Sequence, residues 1–77
     1  MTSTIEGELR LMNAVLADAV EVLRRGARLG RMTKLYRETI DWIEDDDRTS
    51  VVSFVNVCEI LGLDPDRVRE RLRRWIR

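Results

Sequence analysis

Two amphipathic runs meet at Gly62-Leu63-Asp64-Pro65, and this punctuation limits the last third of the chain to two short helices joined by a tight turn. Ser53 is placed to cap the first of them, its hydroxyl accepting a backbone N–H that the opening turn leaves unpaired. Phe54, Val57, Cys58 and Leu61 then recur at helical spacing and make one apolar face. Gly62 follows, where a left-handed residue commonly ends a helix and glycine adopts that backbone without a Cβ clash. Asp64 is a good N-cap and Pro65 suits the first helical position, whose N–H has no partner in any case. Val68, Leu72, Trp75 and Ile76 supply the inward face of the second run, so helices are predicted over about 53–61 and 65–76.

The preceding residues read as two further helices. Ser3-x-x-Glu6 has the form of a capping box, with Met1 to Thr4 a frayed start. A long helix is predicted over about 4–25. Its positions Ile5, Leu9, Met12, Leu16, Ala19 and Leu23 alternate spacings of four and three, a heptad seam. Leu11, Val15 and Val22 add a flanking stripe, so the apolar face is wider than one partner helix requires. The seam either packs on its own domain or pairs two copies about a two-fold axis; a homodimer through Leu9, Met12, Leu16, Ala19 and Leu23 is the expectation. Gly26-Ala27-Arg28-Leu29-Gly30 reads as the break after this helix, with Arg24, Arg25, Arg28, Arg31 and Lys34 clustered at the corner. The next helix is predicted over about 31–45, with Met32, Leu35, Tyr36, Thr39, Ile40, Trp42 and Ile43 giving its amphipathic pattern. Glu44-Asp45-Asp46-Asp47 opposes the helix dipole and should stop it. This acidic run reads as a solvated linker and as a docking patch for a basic surface, including the C-terminal helix of a neighbouring copy. Arg48 to Val52 forms a connector packed on the core.

The whole is an all-α fold of three to four helices in one small domain, residues 1–77, with a C-terminal helix-turn-helix. Within it, residues 1–28 form the long N-terminal helix and residues 31–77 the bundle that contains the helix-turn-helix. A chain of 77 residues buries a marginal core unless its helices pack well or it associates.

Several function classes fall away. One cysteine and no histidine exclude an internal disulfide and the usual zinc sites. Consecutive acids without a bend glycine or a distal glutamate do not make an EF-hand loop. Cys58 sits on an apolar face with no base to activate it, and no phosphate loop or nucleophile–base pair occurs, so neither an enzyme nor a cofactor is expected. No apolar run reaches the roughly 20 residues of a membrane span, and no signal-peptide pattern opens the chain. A cytoplasmic protein is the expectation.

Leu61-Gly62-Leu63-Asp64, followed by Val68 and Leu72, resembles the core of bacterial helix-turn-helix units in region 4 of sigma factors and in response-regulator output domains. A small residue, Cys58, stands four before the turn glycine; an aliphatic one, Val68, stands six after it, and Leu72 ten after it. The resemblance covers the last third of the chain and implies DNA binding and transcription regulation. It departs from the DNA-reading pattern at Asp64, Pro65 and Asp66, which put two acids where the second helix opens.

Charge sharpens both alternatives. Fourteen basic and fourteen acidic residues cancel, yet between Arg67 and Arg77 six arginines face one acid, Glu70, a local charge of +5. Arg67, Arg71 and Arg74 share an outward face, Arg69 and Arg73 form a second edge, and Arg77 extends the tip. The first expectation is a dimeric DNA-binding regulator with these six arginines against bases and phosphates of double-stranded DNA. The alternative is a non-enzymatic protein-interaction module, an adaptor or subunit whose arginines meet an acidic protein surface.

Overall fold

Four helices are observed in a computed structural model of the chain: α1 (Ser3–Leu29), α2 (Lys34–Glu44), α3 (Phe54–Ile60) and α4 (Pro65–Ile76), with no strand among the described residues. The structure describes the backbone of residues 3–29 and 33–76, and the side chains of residues 5–26 and 33–76. Met1, Thr2, Gly30, Arg31, Met32 and Arg77, the side chains of Ser3, Thr4, Ala27, Arg28 and Leu29, and with them the predicted Ser3 cap, lie outside the described residues. The all-α expectation holds.

α1 is the spine. Its 27 residues run for about 40 Å at 1.5 Å per residue, close to the 44 Å long axis of the molecule. The other three helices all pack on it. The side it turns inward is the predicted heptad seam: Met12, Ala19 and Leu23 are buried, and Leu16 is packed against the core. Leu23 meets Tyr36 and Ile43 of α2, Phe54 and Cys58 of α3 and Leu72 of α4 in one cluster. Each of the four helices therefore buries its apolar stripe against the others, and the hydrophobic contribution scales at about 25 cal/mol per Å² removed from water.

The helix ends show which local signals prevailed. α2 starts at Lys34, three residues later than predicted, because Thr33 takes the N-cap and its hydroxyl accepts the Tyr36 N–H at 3.1 Å. Ser53 caps α3 by accepting the Asn56 N–H at 3.3 Å. Gly62 adopts φ +75°, the left-handed conformation expected after α3. Asp64 then accepts the Asp66 N–H at 3.0 Å with its carboxylate, while its carbonyl accepts the Val68 N–H at 3.0 Å, so α4 opens as predicted.

Gly26 is the exception. Predicted to break the first helix, it lies inside α1, which continues to Leu29. A glycine costs an exposed helix about 1 kcal/mol relative to alanine, but here packing decides. A Cβ built on Gly26 would overlap the Tyr36 ring, so the missing side chain is what lets α2 sit flat on α1. Tyr36 is 3% exposed and its hydroxyl has no hydrogen-bond partner among the described residues.

Gly26→Ala is accordingly expected to destabilise the fold despite its higher helix propensity, by about 1–3 kcal/mol from overpacking. Thermal melting followed by circular dichroism checks this. A rise in melting temperature would show that Gly26 is tolerated and not required.

Candidate interaction surfaces

α4 carries the charge that the sequence singles out, and the structure divides its arginines into three kinds. Arg69 is 7% exposed. Its Nε donates to the Ile43 carbonyl at 2.6 Å and its Nη2 to the Asp45 carbonyl at 2.9 Å, at the C-terminal end of α2 where helix carbonyls lack intrahelical partners. Nη1 pairs with Asp46 at 2.7 Å and lies 3.7 Å from Asp66. The guanidinium carbon stands 5.1 Å from the Phe54 ring centroid, a cation–π placement. Trp42 meets the same Phe54 edge-on at 5.4 Å and donates its indole N–H to the Val52 carbonyl at 2.9 Å. Arg69 is thus an internal fastener, not the outward nucleic-acid contact expected of it. The signal was present in the sequence: Arg69 stands four residues after Pro65 and three before Leu72, on the stripe that also holds Ile76. The inward stripe runs through these positions, which leaves Trp75, expected to point inward, 44% exposed.

Arg73 forms the second kind. It reaches the Glu44 carboxylate in a two-pronged pair, at 3.0 Å through Nε and 2.7 Å through Nη2. That hydrogen-bonded guanidinium holds the Glu44 carboxyl below its ordinary range, and Glu44 in turn raises Arg73. Both side chains are substantially exposed, at 55% and 38%, so solvent screens the pair and it contributes little to stability. The acidic run is therefore a docking patch for a C-terminal helix, and the helix that docks is the chain's own. Asp45 and Asp47 accept the N–H groups of Asp47 and Thr49, each at 2.9 Å, and turn the connector away from α2. Asn56 then fixes its middle by donating to the Arg48 and Ser50 carbonyls at 2.9 Å.

Arg67, Arg71 and Arg74 make the third kind: all are exposed. Arg67 Nε stands 4.0 Å from the Asp64 carboxylate. Asp64, Asp66 and Glu70 are also exposed, so carboxylates accompany these three cations along α4. Arg77 lies outside the described residues.

Cys58 is fully buried, and that burial pushes its thiol up to about 11, so it is protonated and unreactive in the folded chain at neutral pH. Among the described residues no group of three or more His, Cys, Asp or Glu side chains is placed to hold a metal ion, and no helix is long and apolar enough to cross a membrane.

The seam expected to form a dimer face through Leu9, Met12, Leu16, Ala19 and Leu23 is largely occupied. Met12, Ala19 and Leu23 are buried inside the chain's own bundle and Leu16 packs against its core, leaving only Leu9 substantially open at 40%. What stays uncovered is the flanking stripe. Leu11 is exposed and Val15 and Val22 half-buried, and the last two line a groove of about 710 Å³ between α1 and α2. Leu35, 59% exposed, and Trp42 form its α2 wall, and Ala19 and Gly26 lie at its floor. The α2 residues Leu35, Glu38 and Trp42 follow three- and four-residue spacing along the groove; Leu35 and Glu38 are exposed, while Trp42 is half-buried and also packs against the core cluster. Periodicity alone did not single out this groove, although the excess width of the α1 stripe pointed to some uncovered apolar surface.

Replacing Arg69 by Met keeps the stem and leaves two carbonyls unpaired, so a loss of about 2–4 kcal/mol is expected. Arg67→Met, on the exposed face, is expected to cost less than about 0.5 kcal/mol. Parallel urea titrations of the two variants decide the matter. Equal stabilities would show that Arg69 is no fastener.

Comparisons with protein-family models, with curated proteins and with solved structures find no match for this chain.

Proposed function

We propose that the chain is a non-enzymatic protein-interaction module, a small helical adaptor or subunit that binds another protein through the groove between α1 and α2. One observation carries this reading: α1 and α2 leave an apolar trough open beside the core that their other stripes, from Met12 to Leu23 on α1 and Tyr36 to Ile43 on α2, help to close. Burying Val15, Val22, Leu35 and the exposed part of Trp42 under a partner helix would remove from water the apolar surface that the domain itself does not cover. The division of the α4 arginines supports the same reading. Arg69 and Arg73 are committed internally, and the remaining basic face is interleaved with Asp64, Asp66 and Glu70. That mixture of signs suits a protein surface better than a polyanion.

A second reading keeps the nucleic-acid role implied by the helix-turn-helix resemblance. Its support is the joint exposure of Arg67, Arg71 and Arg74 on α4. Three phosphate contacts would give binding to duplex DNA that falls with salt at a log–log slope of about −2.7, and Arg71→Ala with Arg74→Ala would remove most of it.

The test places a photo-crosslinking amino acid at position 35, in the groove, or at position 71, on the α4 face, and irradiates the chain in its native cells. The expected result is a discrete protein adduct from position 35 and none from position 71. Absence of an adduct at position 35, together with salt-sensitive duplex binding lost in the Arg71→Ala, Arg74→Ala variant, would overturn the interaction reading in favour of DNA.

A further inference from the structure

The groove has a charge as well as a shape. Three carboxylates, those of Asp18, Glu21 and Glu38, and one guanidinium, that of Arg25, line it. Glu21 is already used: Arg25 pairs with it at 3.1 Å and Arg24 at 3.5 Å. Asp18 on α1 and Glu38 on α2 have no ion-pair partner among the described residues, and Asp41 follows Glu38 one helical turn on, equally unpaired. By contrast Glu44, Asp46, Glu59, Asp64 and Asp66 each face an arginine. An apolar floor with an uncompensated carboxylate on each wall complements a helix that presents an apolar stripe flanked by cations.

Resting on the interaction reading above, we propose that the occupant of the α1–α2 groove is a basic amphipathic helix of another protein. Its apolar residues at three- and four-residue spacing would lie over Val15, Val22 and Leu35, and its Lys or Arg side chains would reach Asp18 and Glu38. The groove extends from Val15 to Gly26 along α1, about 17 Å, which is some three turns of a partner helix. Among the described residues a second copy of this chain offers no such face. The apolar stripe of α4 is spent on the core, and its outward side carries arginines interleaved with Asp66 and Glu70, with Trp75 its one exposed large apolar side chain among the described residues. The exposed Ile5 and Leu9 at the start of α1 stand beside Glu6 and Glu8, which would meet Asp18 and Glu38 with like charge.

The test uses three labelled peptides of about 12 residues, three helical turns, with leucine at core spacing and the flanks filled by lysine, glutamine or glutamate. Fluorescence anisotropy with the full chain reads their relative affinities. The lysine peptide is expected to bind at least about tenfold tighter than the glutamate peptide, a difference of about 1.4 kcal/mol. Leu35→Glu, at an exposed groove position, is expected to weaken it by a similar factor. The double variant Asp18→Lys, Glu38→Lys changes only exposed positions, so it keeps the fold, and it is expected to reverse the order of the two charged peptides.

If all three peptides bind alike and Leu35→Glu weakens them alike, the basic class is wrong while the groove reading stands. If none binds, or if Leu35→Glu and the double variant leave lysine-peptide binding unchanged, both fall. Self-association of the chain in sedimentation, abolished by Leu35→Glu, would overturn the proposal in favour of a second copy.

Discussion

The Arg69 guanidinium is the interaction on which the arrangement of the other helices depends. It joins the end of α2 to the middle of α4 and lies over the first residue of α3, so one planar group fixes three helices relative to one another. Burying such a charge costs several kcal/mol unless hydrogen bonds and an opposite charge offset it. Both are present. The two carbonyls it reaches belong to a helix terminus that carries partial negative charge and has its own donors missing, and Asp46 supplies a full one at the surface. The arrangement is selective for arginine. A lysine ammonium is a point charge without the flat fork that meets two carbonyls and an aromatic face together.

With α4 held in this way, α1 serves as the wall against which everything else closes. A seam of alternating four and three suits packing against any helix, whether in the same chain or in another copy. Its use within the chain leaves the flanking stripe as the surplus. That surplus lies beside a helix, α2, that carries the exposed Leu35 and the uncovered part of Trp42, so two modest excesses add to one groove. Uncovered apolar surface and core are in this sense one decision: whichever stripe α1 buries, the other is left open.

How far the sequence foretold this depends on whether a signal is local. The Gly62, Asp64 and Pro65 punctuation acts through the backbone of the residues themselves, and the turn between α3 and α4 stands where it was expected. Gly26 carries the same local signal as Gly62, yet it remains helical, because its role is set by Tyr36, ten residues away. Arg69 differs from Arg67, Arg71 and Arg74 in nothing but its place on the helical wheel. Only the apolar neighbours Pro65, Leu72 and Ile76 mark it as an inward position, and a charged residue there is read as surface unless a carbonyl partner is known. The groove was legible as an excess of apolar positions on α1 but not as a place, since its second wall comes from another helix.

Cys58 gives the chain a built-in clock. Its sulfur sits among Leu23, Tyr36, Phe54 and Leu72 at the point where all four helices converge, and burial keeps it protonated at neutral pH. A thiol reagent in the surrounding water reaches it only when the bundle parts, so the rate of modification counts openings of the central cluster and ignores fraying at the helix ends. A molecule bound in the α1–α2 groove would clasp the two helices that flank this cluster. Its presence would register as a slower clock, with no need to label the partner or the surface it covers.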